Sequence, residues 1–291
     1  MPEKLFDDEF VSTLEYLAVL AKRVFAKQRQ LRERMRKLGS GQEFADHRAY
    51  SPGDDFRYLD WNLYGRLGKL LLRVFEEEED LRVTFLLDSS DSMKIETKFD
   101  AARRLVAALA YVALSRFDEV AIAPFAERPG TPLSPRKGKG SITGILNYLE
   151  NLTAGGMTDP LAAARKLALP QQRRGLAVFA SDLCEPDAAL DTVKFLRHHR
   201  FDVFVLHVFA QAEARPDAVG DLRITNVETS ESLTTSADEK TLDAYEASFQ
   251  EHLMSLEASC IRAGAHYLPA PSDMPFIDIV RDVLEKGILA A

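Results

Sequence analysis

The stretch Thr84-Phe-Leu-Leu-Asp-Ser-Ser-Asp-Ser-Met93, TFLLDSSDSM, decides how the rest of the chain is read. An apolar run ends abruptly at Asp88, and serines follow at positions 89, 90 and 92. A short apolar run bounded by polar residues predicts a strand buried on both faces, as in a parallel sheet. In open parallel sheets, sites form in the crevice beyond the carboxyl ends of the strands. The residues that follow each apolar run are therefore the ones to compare.

Outward from this stretch, strands and helices alternate. Phe99, Ala102, Leu105, Val106, Leu109 and Val112 have helical spacing, and EVAIAPFA (119–126) is a second strand. Residues 141–151 and 159–169 read as helices, GLAVFAS (175–181) as a third strand, 187–200 as a helix and FDVFVLHVF (201–209) as a fourth strand. DLRITNVET (221–229) reads as an edge-like fifth strand, 238–263 as a long helix, AHYLPA as a last short strand and 275–287 as a closing helix. This alternation predicts an α/β fold, a doubly wound, mostly parallel sheet with helices on both faces. RKGKGS (136–141) lacks the spacing of a phosphate loop and is expected to be an exposed, mobile loop.

Two segments precede this domain, giving an expected division into 1–38, 39–80 and 81–291. In the first, Phe10, Leu14, Leu17, Ala21, Val24, Gln28, Leu31, Met35 and Leu38 form a heptad stripe on one helix, whose second half is strongly basic. The helix either packs on its own body with a solvated basic face, or serves as a homodimer seam or partner-binding surface. The second segment carries a turn signal at Pro52-Gly53-Asp54-Asp55 and a short strand-like stretch at Leu70–Phe75. It is expected to pack on the core, with Trp61 as anchor and Arg57 paired with a neighbouring carboxylate. The alternative is a second recognition surface.

The 291 residues, 46% hydrophobic, suffice for a sizeable core. A net charge of −8 argues against a nucleic-acid binder. Cys184 and Cys260, far apart, make neither a disulfide framework nor a zinc site, so a reducing compartment is expected. The N-terminus reads as no secretory signal, and no window approaches the roughly 20 apolar residues of a membrane span. A soluble cytoplasmic protein is the expectation.

At the strand ends the residues share one chemistry. Asp88, Ser90 and Ser92 follow the first strand, Asp182 follows GLAVFAS, and Thr158 lies in the glycine-rich GGMTDPL just before a helix. Two carboxylates and three hydroxyls suit a hard cation such as Mg²⁺, which takes six oxygen ligands. Each residue alone also reads as a helix cap; the convergence of all five favours a site. This set resembles the metal-ion-dependent adhesion site of von Willebrand factor A-type domains. Upstream, Tyr50, Pro52, Gly53, Asp54, Asp55, Arg57, Asp60, Trp61 and Arg66 are similar to the signature of a bacterial family of unknown function, number fifty-eight in the domain-of-unknown-function series.

The resemblance implies Mg²⁺ or Mn²⁺ held by Ser90, Ser92 and Thr158, with Asp88 and Asp182 acting directly or through water. A partner's Asp or Glu would complete the coordination. It further implies a MoxR-type AAA+ ATPase as partner and a non-enzymatic role. Asp91, inside the motif, departs from the adhesion-type pattern. The enzymatic alternative is a phosphohydrolase with Asp88 as nucleophile. It lacks the acid/base carboxylate two residues on, where Ser90 stands, and no lysine or general acid stands out in the sequence to complete it. There is no Gly-x-Ser-x-Gly elbow and no His-Glu-x-x-His.

Overall fold

The structure is a computed structural model. It describes residues 4–39, 47–51, 54–56, 59–73, 81–127, 130–168, 175–217, 219–227 and 231–290, with side chains of the first helix described as far as residue 27. The chain divides into two compact units, one of residues 1–25 with 80–291 and one of residues 26–79.

The larger unit is built on six strands: β1 (Arg82–Asp88), β2 (Glu119–Phe125), β3 (Leu133–Lys137), β4 (Leu176–Ser181), β5 (Asp202–Phe209) and β6 (His266–Pro271). Their order is β6-β5-β4-β1-β2-β3, parallel throughout except for antiparallel β3. Phe85 lies opposite Ile122 on one side and Val178 on the other, so β1 is central. The longer helices of this unit are α1 (Asp8–Gly39, which continues into the smaller unit), α2 (Lys98–Ser115), α3 (Ile142–Glu150), α4 (Pro160–Ala168), α5 (Pro186–His198), α6 (Glu239–Arg262) and α7 (Phe276–Glu285), and a short helix, Gln211–Ala214, follows β5.

Strand alternation sorts the core into two layers. Val83, Phe85 and Leu87 of β1, with Val178 and Phe204, pack against α2, α7 and the start of α1. Leu86, Phe179, Val203 and Val205 face the other way, onto α4, α5 and α6. Helices thus cover both faces, the doubly wound α/β architecture that the alternation of strands and helices predicts. Gly175, at the entry to β4, permits this close pairing: a Cβ there would meet the Arg82 carbonyl oxygen at 2.5 Å.

The first half of the heptad stripe is consumed within the chain. Phe10, Leu14, Leu17 and Ala21 are buried in the same layer as α2 and α7. Asp7 starts the helix by accepting from the Phe10 amide at 2.7 Å. The stripe from Gln28 onward lies outside the described side chains.

Two strand expectations need correction. Residues 133–137 (LSPRK), the last two of which fall in the segment expected to be loop, form the edge strand β3. Its polar, solvent-facing composition carries no period-two signal. Residues 220–225 do not join the main sheet; they pair with 232–237 in a separate antiparallel ribbon.

In the smaller unit, strand His47–Ala49 pairs antiparallel with Leu71–Arg73, and a short helix, Trp61–Leu67, lies between them in sequence. Asp60 is buried and caps that helix, accepting from the Asn62 and Leu63 amides at 3.0 and 3.1 Å. Trp61, expected as the anchor, is instead 62% exposed, with its ring edge-on to Tyr64. The Asp60 cap satisfies amides that the helix itself cannot. Asp54 closes the turn by accepting from the Ser51 amide at 2.8 Å, and Tyr50 stacks on Phe56. Asp55 and Arg66 are exposed. Pro52, Gly53 and Arg57 lie outside the described residues.

Candidate functional site

The strand order reverses between β1 and β4, which makes the crevice at their carboxyl ends the switch point of the sheet. Asp88 is the last residue of β1; Ser181 ends β4 and Asp182 follows it. All three are buried. The site therefore lies where two neighbouring parallel strands stop pairing and their chains diverge.

Asp88 organises the first loop. Its Oδ1 accepts from the Ser90 amide at 3.0 Å and from Ser90 Oγ at 2.7 Å, and Ser90 Oγ lies 3.0 Å from Ser92 Oγ. Its Oδ2 accepts from Ser181 Oγ at 2.6 Å. Neither Ser90 nor Ser92 acts as a helix cap, although a 3₁₀ turn begins at Asp91. The Ser90 hydroxyl bonds the Asp88 carboxylate instead, and the Ser92 hydroxyl meets that of Ser90. Burial, and then the charge of Asp182, raise the Asp88 carboxyl from the ordinary 3.8 to about 6.

Asp182 has different company. Its Oδ1 accepts from the Cys184 amide at 3.3 Å, while its Oδ2 receives Lys98 Nζ at 2.8 Å. Lys98 is 0% exposed and also donates to Glu213 Oε1 at 2.6 Å. Glu213 belongs to a short helix just beyond β5, and its other oxygen accepts from the Ala210 amide at 2.8 Å. Burial opposes the charge on Lys98, but the two carboxylates outweigh it and hold the ammonium above the ordinary lysine value. Behind Asp182, buried His207 stands opposite Ser181 in the sheet and meets the Tyr267 hydroxyl at 2.7 Å. Burial lowers the imidazole to about 4, so it is neutral at physiological pH.

Thr158 lies on the third loop, half-buried. That loop is strapped to the first by the Gly155 amide on the Ser89 carbonyl at 2.7 Å and the Asp91 amide on the Gly156 carbonyl at 2.8 Å. Asp91 adds a third tie, accepting from the Gly156 amide at 3.0 Å while Lys94 Nζ sits on its other oxygen at 2.6 Å. The Lys94 bond, and then the Gly156 amide, hold the Asp91 carboxyl below the ordinary aspartate value. Gly156 needs its left-handed φ of 86° to make this crossing. The capping role open to Thr158 is taken by its neighbour: Asp159 Oδ1 accepts from the Ala162 amide at 3.0 Å, with Pro160 opening α4.

The structure thus brings Asp88, Ser90 and Ser92 into one hydrogen-bonded group, sets Asp182 beside it, and ties the Thr158 loop to the same rim. Three participants escape the sequence reading: Ser181, Lys98 and Glu213. Lys98 left one signal, since a lysine in the first turn of a helix opposes the helix dipole and invites a search for its partner. It also supplies the buried lysine missing from the phosphohydrolase alternative, but Ser90 still stands where the acid/base carboxylate belongs. The donor set itself, carboxylate and hydroxyl oxygens with Asp88 short of a cationic partner, fits a small hard cation. Among the described residues there is no cluster of three or more His, Cys, Asp or Glu side chains suited to a metal, so any metal would rely on the hydroxyls.

Fold and site together define a doubly wound α/β domain with an acid-and-hydroxyl cluster at its switch point. The chain belongs to the family described as "Protein of unknown function DUF58", whose profile it matches over residues 46–255. It is 25% identical over 262 residues to the "Uncharacterized protein Rv1480" of Mycobacterium tuberculosis, covering 87% of this chain and 82% of that protein. Among solved structures it is similar to an aerotolerance-related membrane protein from Bacteroides fragilis, at 16% identity and a TM-score of 0.44, over 72% of this chain and 100% of that one. A second similarity is to proximal thread matrix protein 1 of the mussel byssus, described with a "zinc occupied MIDAS motif". Here identity is 14% and the TM-score 0.40, over 72% of this chain and 46% of that one. Among the described residues, no helix is long and apolar enough to cross a membrane.

Proposed function

We propose that the chain is a metal-dependent protein-interaction module rather than an enzyme. Asp88, Ser90, Ser92, Thr158 and Asp182 would hold Mg²⁺ or Mn²⁺ at the switch point of the sheet, and a carboxylate from a partner would complete the coordination. The observation that carries this reading is the pairing of two buried aspartates at adjacent strand ends, one of them, Asp88, bonded among the described residues only to hydroxyls and an amide. Buried carboxylates with neutral partners attract a cation. The metal supplies an electrophilic centre for an anionic oxygen, and occupancy thereby gates binding.

The resemblance points to a MoxR-type AAA+ ATPase as the partner. The second half of α1 would add a contact or a homodimer seam. In the signature segment, Asp54, Asp55, Arg57, Trp61 and Arg66 would form a second contact surface, a use that the exposure of Trp61 supports, while buried Asp60 has the structural role of a helix cap. A cytoplasmic setting is consistent with both cysteines being unpaired thiols.

The test is to titrate Mg²⁺ and Mn²⁺ into metal-free protein while following thermal unfolding, with Asp88→Ala as control. A midpoint no more responsive in the wild type than in the control refutes the metal site. Capture of the ATPase only without chelator would establish gating; equal capture with chelator would leave a scaffold role. Metal-dependent phosphate release abolished by Asp88→Asn would favour the phosphohydrolase instead.

A further inference from the structure

Lys98 is the feature that the metal-site reading does not use. It is fully buried, it sits in the first turn of α2, and its ammonium bridges Asp182 Oδ2 at 2.8 Å and Glu213 Oε1 at 2.6 Å. Both circumstances are unfavourable for a lysine. The helix N-terminus repels a cation, and burial removes its hydration. Apolar side chains in place of the whole charged set would avoid both penalties, whereas removing the lysine alone leaves buried Asp182 without its counter-charge.

Two carboxylates, Asp182 and Glu213, hold this one ammonium, and Asp88 stands close enough to Asp182 to feel its charge. The Asp182 oxygen it holds is one of those a divalent cation would draw on, directly or through water. Glu213 is only partly buried and stands on a different element, the short helix after β5. Because Nζ is already within hydrogen-bond reach of both carboxylates, it can release one while keeping the other.

We propose that Lys98 is a tethered stand-in for the divalent cation, holding Asp182 while the site is metal-free and shifting onto Glu213 when metal claims that oxygen. The inference rests on the metal-dependent reading and adds a competitor built into the chain. It makes Lys98 a residue that sets metal affinity, and Glu213 the anchor through which it yields. The arrangement offsets the repulsion between the carboxylates of the metal-free crevice. It also raises the metal concentration at which the module becomes competent for a partner.

The experiment is calorimetric titration of Mn²⁺ and Mg²⁺ into the full chain, in wild type, Lys98→Met, Glu213→Gln and the double variant. Removing the competing charge should tighten metal binding at least about tenfold in Lys98→Met, given the strength of charge interactions at such distances. Its metal-free form should melt below the wild type, and metal should recover more of that loss. Glu213→Gln should bind several-fold more weakly, and that effect should vanish in the Lys98→Met background, because Glu213 acts through the lysine. Glu213 acting only through its own charge would instead weaken binding equally in both backgrounds, which overturns the hand-over.

Wild type binding metal, with Lys98→Met binding no more tightly, overturns this proposal and leaves the metal-dependent reading intact. Metal binding by neither protein overturns both. Binding by Lys98→Met alone refutes the metal-dependent reading for the resting protein and supports the lysine as its block. Should Lys98→Met not fold, Glu213→Gln decides: metal binding as tight as wild type, or tighter, overturns the proposal.

Discussion

Replacing Asp88 by Asn should stabilise the metal-free protein at neutral pH, although it removes a central residue of the site. Burial, and then repulsion from Asp182, raise this carboxyl from 3.8 to about 6 in the folded chain. A carboxyl that is a weaker acid when folded holds its proton longer in the native state, so this group favours folding at low pH. Its penalty is absent below 3.8, grows between 3.8 and about 6, and is constant above that. About two pK units at roughly 1.4 kcal/mol each give a penalty of about 3 kcal/mol at neutral pH. Asn escapes this but disturbs one bond. Ser181 Oγ donates to Asp88 Oδ2 and accepts from the Leu183 amide, so an amide nitrogen in place of Oδ2 takes away the acceptor of the Ser181 hydroxyl proton. That loss is about 1 kcal/mol.

The net gain is about 2 kcal/mol, or roughly 4–8 °C for a domain of this size. Urea and thermal unfolding in chelator, from pH 4 to pH 8, measure it. The two proteins should differ most above pH 6 and converge toward pH 4. Added Mg²⁺ or Mn²⁺ should then stabilise the wild type and leave the variant unmoved. An Asp88→Asn protein less stable than wild type at pH 7.5 without metal, or a difference that ignores pH, refutes the view that Asp88 carries an uncompensated charge.

Asp91→Ala should speed hydrogen exchange at the Gly156 amide and lower stability by about 1 kcal/mol, since it deletes a strap between the first and third loops rather than a ligand. Unchanged exchange at Gly156 would show that the other two ties suffice. Asp60→Ala should cost about 1 kcal/mol and expose the Asn62 and Leu63 amides, with the Trp61–Leu67 helix fraying first. Tyr267→Phe should cost about 1 kcal/mol by leaving His207 Nδ1 without its hydroxyl partner; a neutral result would mean that water or another group replaces it.

The parts of this molecule that were legible in the sequence are those fixed by burial on two faces. β1, β4 and β5 are continuous apolar runs because parallel strands covered by helices face no solvent, and the polar residues that stop them mark the rim of the crevice. β3 was not legible, since LSPRK pairs along one edge only and leaves its side chains in water. The ribbon of 220–225 with 232–237 misled for a related reason: pairing partners are set by tertiary placement, not by strand propensity. At the site, Asp88, Ser90, Ser92 and Asp182 could be read because they follow strands directly. Lys98 and Glu213 could not. They lie 84 and 31 residues from Asp182 in sequence (98 to 182, and 182 to 213), and only the packing of α2 against the sheet brings the lysine there. Ser181 reads as an ordinary strand residue until its hydroxyl is seen on Asp88.

The crevice treats its two aspartates unequally, and this has a consequence for acid stability. Asp182 is matched by an ammonium, while Asp88 depends on hydroxyls and one amide. Beneath them, burial holds His207 down to about 4. A histidine that resists protonation when folded contributes stability that is present above its ordinary 6.5 and is lost as pH falls toward about 4. Asp88 runs the other way over nearly the same window, relieving its penalty as pH falls from about 6 to 3.8. Each slope integrates to about 3 kcal/mol, and their signs oppose, so the metal-free wild type should be nearly flat between pH 6 and pH 4. Asp88→Asn removes one slope and leaves the other exposed, so the variant that is more stable at neutral pH should be the one that loses stability on acidification. A wild-type profile that falls as steeply as the variant's would mean that Asp88 is already ionised with an ordinary acidity, and that its charge is met by a group other than those at the rim.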